Sequence, residues 1–252
     1  MRDLMVICPT LWRRAKVEKL LESWDAIPRA CETDLALITD RADQSYDGLT
    51  LPKGVRIWAP VNQDLATTAE KTNAAARGFA LAYRALMSTG DDAWFATPEW
   101  DRLLLEPLAG GPGFTYPDMD GREVTVPGIC VISSPIVSAL GWMFLPGLHH
   151  YWADNVWQEL GRAAGCTYQF VPEVVFHDAY GPQDGTYARA QESGAEDYRT
   201  FSRWRYGGPG TDQGSNGPAY LEDADTIRRV AAQWRPGQPA APVREQQGDW
   251  SC

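Results

Sequence analysis

The chain has 252 residues, 44% of them hydrophobic and 22% charged, with a formal net charge of -10. That length can bury one α/β core, and the acidity disfavours nucleic acid as a partner, because a polyanion-binding face needs clustered Lys and Arg to displace counterions. The five cysteines, Cys8, Cys31, Cys130, Cys166 and Cys252, show no C-x-x-C pair and no metal-ligand spacing, so they read as reduced thiols. No apolar run reaches secretory or membrane-spanning length, so a soluble cytoplasmic protein without membrane contact is expected.

Residues 4–8 form an unbroken apolar run closed by Pro9-Thr10, the pattern of a strand buried on both faces. Val17, Leu20, Leu21 and Trp24 recur at helical spacing over 14–24, and 35–39 and 55–58 read as two further short strands. An Ala-rich stretch predicts one long helix over 67–86. The opening half is therefore β-α-β-β-α, a doubly wound pattern. Thr97-Pro98-Glu99 has an N-cap candidate, a proline at the first helical position and an early acid, which predicts a helix to about residue 108, broken by Gly110-Gly111-Pro112-Gly113. Short strands are expected over 114–116, 124–126 and 129–132, helices over 134–140 and 151–164, and a last strand over 171–177. Beyond it, 184–206 is helix-compatible, 207–218 is a Gly-rich linker, 221–234 is an isolated amphipathic helix and 235–252 has the composition of a mobile tail.

Ligands of parallel α/β sheets sit outside the carboxyl ends of the strands, and the polar residues follow those ends. Thr10, Arg13 and Arg14 leave the first strand and could meet phosphate; Asp40 and Asp43 leave the second and could accept hydrogen bonds from a base or ribose. The acidic turn Thr89-Gly90-Asp91-Asp92 and the distant His177, at the end of an apolar run, form a candidate site for a hard divalent cation that keeps positions open for phosphate oxygens. Adjacent acids in a Gly-Asp turn often only face water, and a lone histidine is often interior. His150 and Asp154 are four apart, so on one helix both would face one way and could hold a metal for hydrolysis, which makes a metal-dependent hydrolase the rival reading. Among the 11 tryptophans, most belong to packing, while Trp142 and Trp152 lie where they could stack on a sugar ring.

Taken in order, Pro9-Thr10 with Arg13, Asp40 and Asp43, Thr72-Asn73-Ala74-Ala75, Gly90-Asp91-Asp92, Pro98-Glu99-Trp100-Asp101, Gly141-Trp142, Ala153-Asp154-Asn155-Val156-Trp157 and His177 resemble a small GT-A glycosyltransferase of the family-2-like type. The resemblance spans roughly residues 1–204, and the sequence style is similar to versions encoded by bacteriophages of actinobacteria, which would place the protein in the host cytoplasm.

That resemblance implies a Rossmann-like α/β fold, a mixed, mostly parallel sheet flanked by helices, in a domain over 1–206, with 207–252 as linker, short helix and tail. It implies a hexosyltransferase-like enzyme that takes a nucleotide-sugar donor and a divalent cation, Mn2+ or Mg2+. Pro9, Thr10, Arg13, Asp40, Asp43, Asn73 and Asp91 would bind the nucleotide, Asp92 and His177 the metal, and Trp142 and Trp152 the sugar or acceptor. Asp154 would be the catalytic base of an inverting transfer. Gly90 stands where the first acid of the D-x-D motif is expected, and Ala153 where an acid commonly precedes the base. The acceptor stays open between a virion protein, a modified DNA base and a glycan, and a non-catalytic sugar-binding protein is a further alternative.

Overall fold

The computed structural model describes residues 1–59, 67–120, 126–178, 185–208 and 215–235. β1 (Arg2–Pro9) is the first strand of an eight-stranded sheet, and its residues Leu4 to Cys8 are all fully buried, as a run apolar on both faces requires. α1 (Arg14–Ala26) buries Val17, Leu20, Leu21 and Trp24, the face the spacing predicts. β2 (Thr33–Ile38) and β3 (Val55–Trp58) follow, both parallel to their neighbours. α2 (Thr68–Phe79) opens on a capping box: the Glu70 amide donates to the Thr67 hydroxyl at 3.1 Å and the Thr67 amide donates to the Glu70 carboxylate at 3.0 Å.

The long helix expected over 67–86 is two elements. α2 stops at Phe79, and β4 (Tyr83–Ser88) becomes a central strand, parallel to β1. Ala85, Leu86 and Met87 have high helix propensity, but burial between two layers overrides it. β5 (Ala93–Phe95) is too short to leave a sequence signal. α3 (Trp100–Leu105) starts two residues later than the Thr97 cap predicts, because the Thr97 hydroxyl instead accepts from the Val175 amide at 2.8 Å.

β6 (Gly113–Met119) and β7 (Cys130–Ser133) match expected strands, whereas that of 124–126 lies outside the described residues except for Val126, which sits in a bend. α4 (Ser134–Leu140), α5 (Ala153–Ala163) and β8 (Thr167–Asp178) complete the sheet layer, and α6 (Gly185–Tyr206) and α7 (Pro218–Gln233) close the chain. The strand order is β3-β2-β1-β4-β7-β6-β8-β5, with β7 and β5 antiparallel to their neighbours.

Alternate residues of β1 enter different cores. Met5 and Ile7 pack with α2, α4, α5 and α7; Leu4, Val6 and Cys8 pack with α1 and α3. The last helix is not isolated, as its sequence suggests: Tyr220, Ala224 and Ile227 are buried in the first core, and the Trp204 indole donates to Asp223 at 2.8 Å. Its neighbours supply apolar surface that only the folded chain assembles. The linker residues 209–214 and the tail 236–252, with Cys252, lie outside the described residues; Cys8, Cys31, Cys130 and Cys166 are free thiols.

Candidate functional site

Where β1 and β4 end side by side, their loops meet in a charged knot. The Thr10 hydroxyl donates to Asp91 Oδ2 at 2.6 Å and lies 2.7 Å from the Tyr46 hydroxyl, which in turn accepts from the Arg13 amide at 3.1 Å. Arg13 spans both acids, with Nη1 2.6 Å from Asp91 Oδ1 and Nη2 2.9 Å from Asp92 Oδ2; Lys16 Nζ stands 3.3 Å from that same Asp92 oxygen. Asp91 is 1% exposed, so its charge depends on these neighbours. Asp92 is more open, and its Oδ1 lies directly above Gly90: a Cβ there would come within 2.6 Å of it. The glycine that breaks the D-x-D pattern thus leaves room for the carboxylate to fold back over the turn.

Several expected contacts serve this scaffold. Pro9 ends β1 opposite Ile38. Asp43 is buried, accepts from the Trp12 amide at 2.8 Å and the Ser45 amide at 2.9 Å, and so fixes the loop after β2. Asp40 pairs with Lys71 at 2.5 Å on the rim, and Arg14 reaches Glu18 and the carbonyls of Ser45 and Asp47. Asn73 is buried, its Oδ1 accepting from the Met143 and Phe144 amides and its Nδ2 donating to the Phe144 carbonyl, each at 2.8 Å. It holds the chain beyond α4 in place. Trp142, 8% exposed, lines a shallow groove of about 230 Å³ with Glu70, Arg77 and Pro146.

The second half of the site is the loop into α5. Trp152 takes a left-handed conformation (φ 73°) and stacks on Phe201 at 5.0 Å, with Tyr198 beside it. Asp154 follows in the first helical turn; burial raises its pKa above the ordinary carboxylate value, against the lowering effect of the Asn155 amide, which donates to it at 2.8 Å. Because α5 begins at Ala153, His150 lies in the loop and not one turn before Asp154 on a shared helix face, which removes the geometry behind the hydrolase reading. His150 is exposed yet ringed by protein. That crowding is the main cause of its lowered pKa; Asp197, Asp92 and Asp154 pull it upward and Arg13 downward. The imidazole therefore lies within electrostatic reach of both the acidic knot and Asp154.

His177 sits opposite Trp94, two residues beyond Asp92, but its Nδ1 is 2.6 Å from Asp120 Oδ1. Among the described residues no group of three or more His, Cys, Asp or Glu side chains could hold a metal ion, so Asp92 and His177 do not meet in such a cluster. Lys16, Tyr46, Lys71 and Asp197, which the sequence pattern does not single out, are all site residues by position. Contacts around the knot join residues as far apart in the chain as Trp12 and Asp43 or Thr10 and Asp91, and no local pattern marks such partners.

No family model matches the chain, and no curated protein matches its sequence. Solved structures do match its fold. The mannosyltransferase PcManGT from Pyrobaculum calidifontis, solved with GDP-Man and Mn2+, aligns with a TM-score of 0.60 at 15% identity over 91% of this chain and 70% of that one. Glucosyl-3-phosphoglycerate synthase from Mycobacterium tuberculosis, with Mn2+, UDP and phosphoglyceric acid, aligns at 0.53 and 15% identity over 80% and 76%. TarS from S. aureus with UDP-GlcNAc aligns at 0.52 and 12% identity over 72% and 60%. The fold is therefore the mixed α/β GT-A fold. Among the described residues no helix is long and apolar enough to cross a membrane.

Proposed function

We propose that the chain is a nucleotide-sugar glycosyltransferase that moves a sugar from a nucleoside-diphosphate donor to an acceptor hydroxyl with inversion at the anomeric carbon. The observation that carries this reading is the knot of Asp91 and Asp92 with Thr10 and Arg13 at the carboxyl ends of β1 and β4 of a GT-A sheet, with His150 within electrostatic reach of both Asp92 and Asp154. The neighbours solved with GDP-Man, UDP or UDP-GlcNAc support the same donor class.

Asp92 fits a divalent cation of the kind bound by one or two carboxylates plus substrate phosphates, since its Oδ1 has no partner among the described residues while Oδ2 takes Arg13 and Lys16. Such an ion would neutralise charge on the departing diphosphate. Thr10 and Arg13 would border the phosphates, and Asp40, on the rim after β2, would meet the nucleoside. Asp154 takes the acceptor proton as the acceptor oxygen bonds to the anomeric carbon; the bond to the diphosphate breaks, and the leaving group keeps the electron pair. A raised pKa makes this carboxylate a better base near neutral pH.

The test is a thermal-shift screen of GDP- and UDP-sugars with Mn2+, because a ligand of the folded state raises its melting temperature, followed by assay of nucleoside diphosphate release. Asp154→Asn is expected to keep donor affinity while turnover falls by about two to four orders of magnitude. Matched loss of Mn2+ binding in Asp154→Asn and His150→Ala would favour the hydrolase instead and sink the transferase reading.

A further inference from the structure

Asp197 on α6 is fully buried and takes part in neither the donor knot nor the acceptor chemistry proposed above. Four nitrogen atoms of a single loop converge on it. Its Oδ1 accepts from the His149 amide at 2.7 Å and meets His149 Nδ1 at 2.9 Å; its Oδ2 accepts from the His150 amide at 2.9 Å and the Tyr151 amide at 2.8 Å. Burial pushes its pKa up, but these bonds outweigh that, and the net shift is downward, so the group stays ionised. The three residues it grips immediately precede Trp152, whose left-handed backbone starts the helix that carries Asp154. A positive φ on a tryptophan persists only where the surroundings over-determine it.

We infer that Asp197 is the positioning residue of this site: from α6 it fixes the 149–151 loop, and through it the placement of His150 and Asp154. The inference rests on the glycosyltransferase reading for its catalytic consequence but not for the anchoring itself. Other features fit this role. Tyr198, the next residue, flanks Trp152 at 5.0 Å, so adjacent α6 residues hold the loop from two sides. An asparagine could not replace the carboxylate, because whichever way its amide turned, the NH2 would face a main-chain N–H of His149 or of His150 and Tyr151.

The molecule contains its own control. Asp101 is also fully buried and also accepts four hydrogen bonds, from the Ala30, Cys31 and Arg102 amides and the Thr33 hydroxyl, but Thr33 begins β2, at the sheet edge opposite the site. Asp197→Asn and Asp101→Asn should therefore lower stability alike and differ in catalysis. With the donor found by the screen, Asp197→Asn is expected to keep donor Kd within about twofold and lose about 100-fold in kcat, the scale of a misplaced reacting group. Asp101→Asn should keep both within about twofold. Equal kcat losses in the two, or an unchanged kcat in Asp197→Asn, would overturn the inference. Amide hydrogen exchange of the same variants reads the anchoring without turnover: exchange should quicken at 148–155 in Asp197→Asn only, and its absence there would equally overturn it. A wild-type protein that neither binds nor consumes any nucleotide-sugar, with that local exchange still seen, would instead count against the proposed reaction and leave the anchor standing.

Discussion

Replacing Arg13 with methionine removes the cation that spans two acids while keeping most of the side-chain bulk. The Arg13 side chain is 14% exposed, that of Asp91 2% and that of Asp92 26%. Breaking a buried ion pair by deleting one partner costs about 3–5 kcal/mol, since the remaining charge is left in a poor solvent. Asp92 keeps Lys16 at 3.3 Å and can reach water, so the loss comes mainly from Asp91 and should fall near the lower end, about 3 kcal/mol. For a chain of this size that is a melting-temperature drop of about 6–12 °C. Thermal and urea unfolding of Arg13→Met, Asp91→Asn and the double variant measures it. The double variant should recover about 2 kcal/mol relative to the sum of the singles, because a neutral amide in place of the Asp91 carboxylate no longer needs the guanidinium while it can still accept from Thr10. A melting temperature for Arg13→Met within about 2 °C of wild type, or no coupling in the cycle, would refute the argument that the knot is held by this pair.

Gly90→Ala should leave the fold nearly as stable but push Asp92 Oδ1, which its Cβ would approach to 2.6 Å; Mn2+-dependent nucleotide affinity should fall by about tenfold by calorimetric titration, and unchanged affinity would show that this oxygen does not serve the cation. The raised pKa of Asp154 means the folded state holds its proton more tightly than the unfolded chain, so ionisation destabilises the fold as pH rises through the folded value. Asp154→Asn should thus melt higher than wild type at pH 7, with the gap closing below the unfolded carboxylate pKa of about 3.9; a pH-independent gap would contradict the assignment of the shift to burial. Ile227→Ala, at a fully buried position of α7, should cost about 2–4 kcal/mol in a single unfolding transition, and a loss under about 0.5 kcal/mol would mean that α7 is not part of the core.

The parts of the fold legible in the sequence were those whose signal is local. The run Leu4 to Cys8 reads as a buried strand, and Val17, Leu20, Leu21 and Trp24 as a helix face, because apolar period and burial coincide there. β4 was hidden because Ala85, Leu86 and Met87 are good helix formers whose strand conformation is imposed by β1 on one side and β7 on the other. The α3 start was hidden because the Thr97 hydroxyl could cap a helix or hold β8, and only tertiary structure decides. At the site, Thr10 and Arg13 were legible from the end of the first strand and Asp91 and Asp92 as an acidic Gly-Asp turn, and the four do converge. Asn73 was singled out only by the family resemblance, and its amide is spent on the backbone of Met143 and Phe144. Asp197 had no signal at all: in a polar helical stretch a buried acid looks like a solvated one until its partners, 46 to 48 residues away, are in place.

On the proposed reading, identical side chains at this edge acquire different chemistry from their surroundings, which separates cation ligand, base and anchor. Asp91 and Asp197 are both almost entirely buried, the first against a guanidinium and a hydroxyl, the second against three amides and an imidazole that lower its pKa in spite of burial. A carboxylate so committed as Asp197 makes a poor proton acceptor. The burial of Asp154 is offset by the Asn155 amide, its own amide and the nearby His150, and these do not suffice: the net shift raises its affinity for a proton. Asp92 stands between, charge-paired through one oxygen and open through the other, as a ligand to a transient cation requires. On the proposed reading, the base is a carboxylate whose ionisation burial opposes, and the loop leading to it is held by a carboxylate whose ionisation the fold favours.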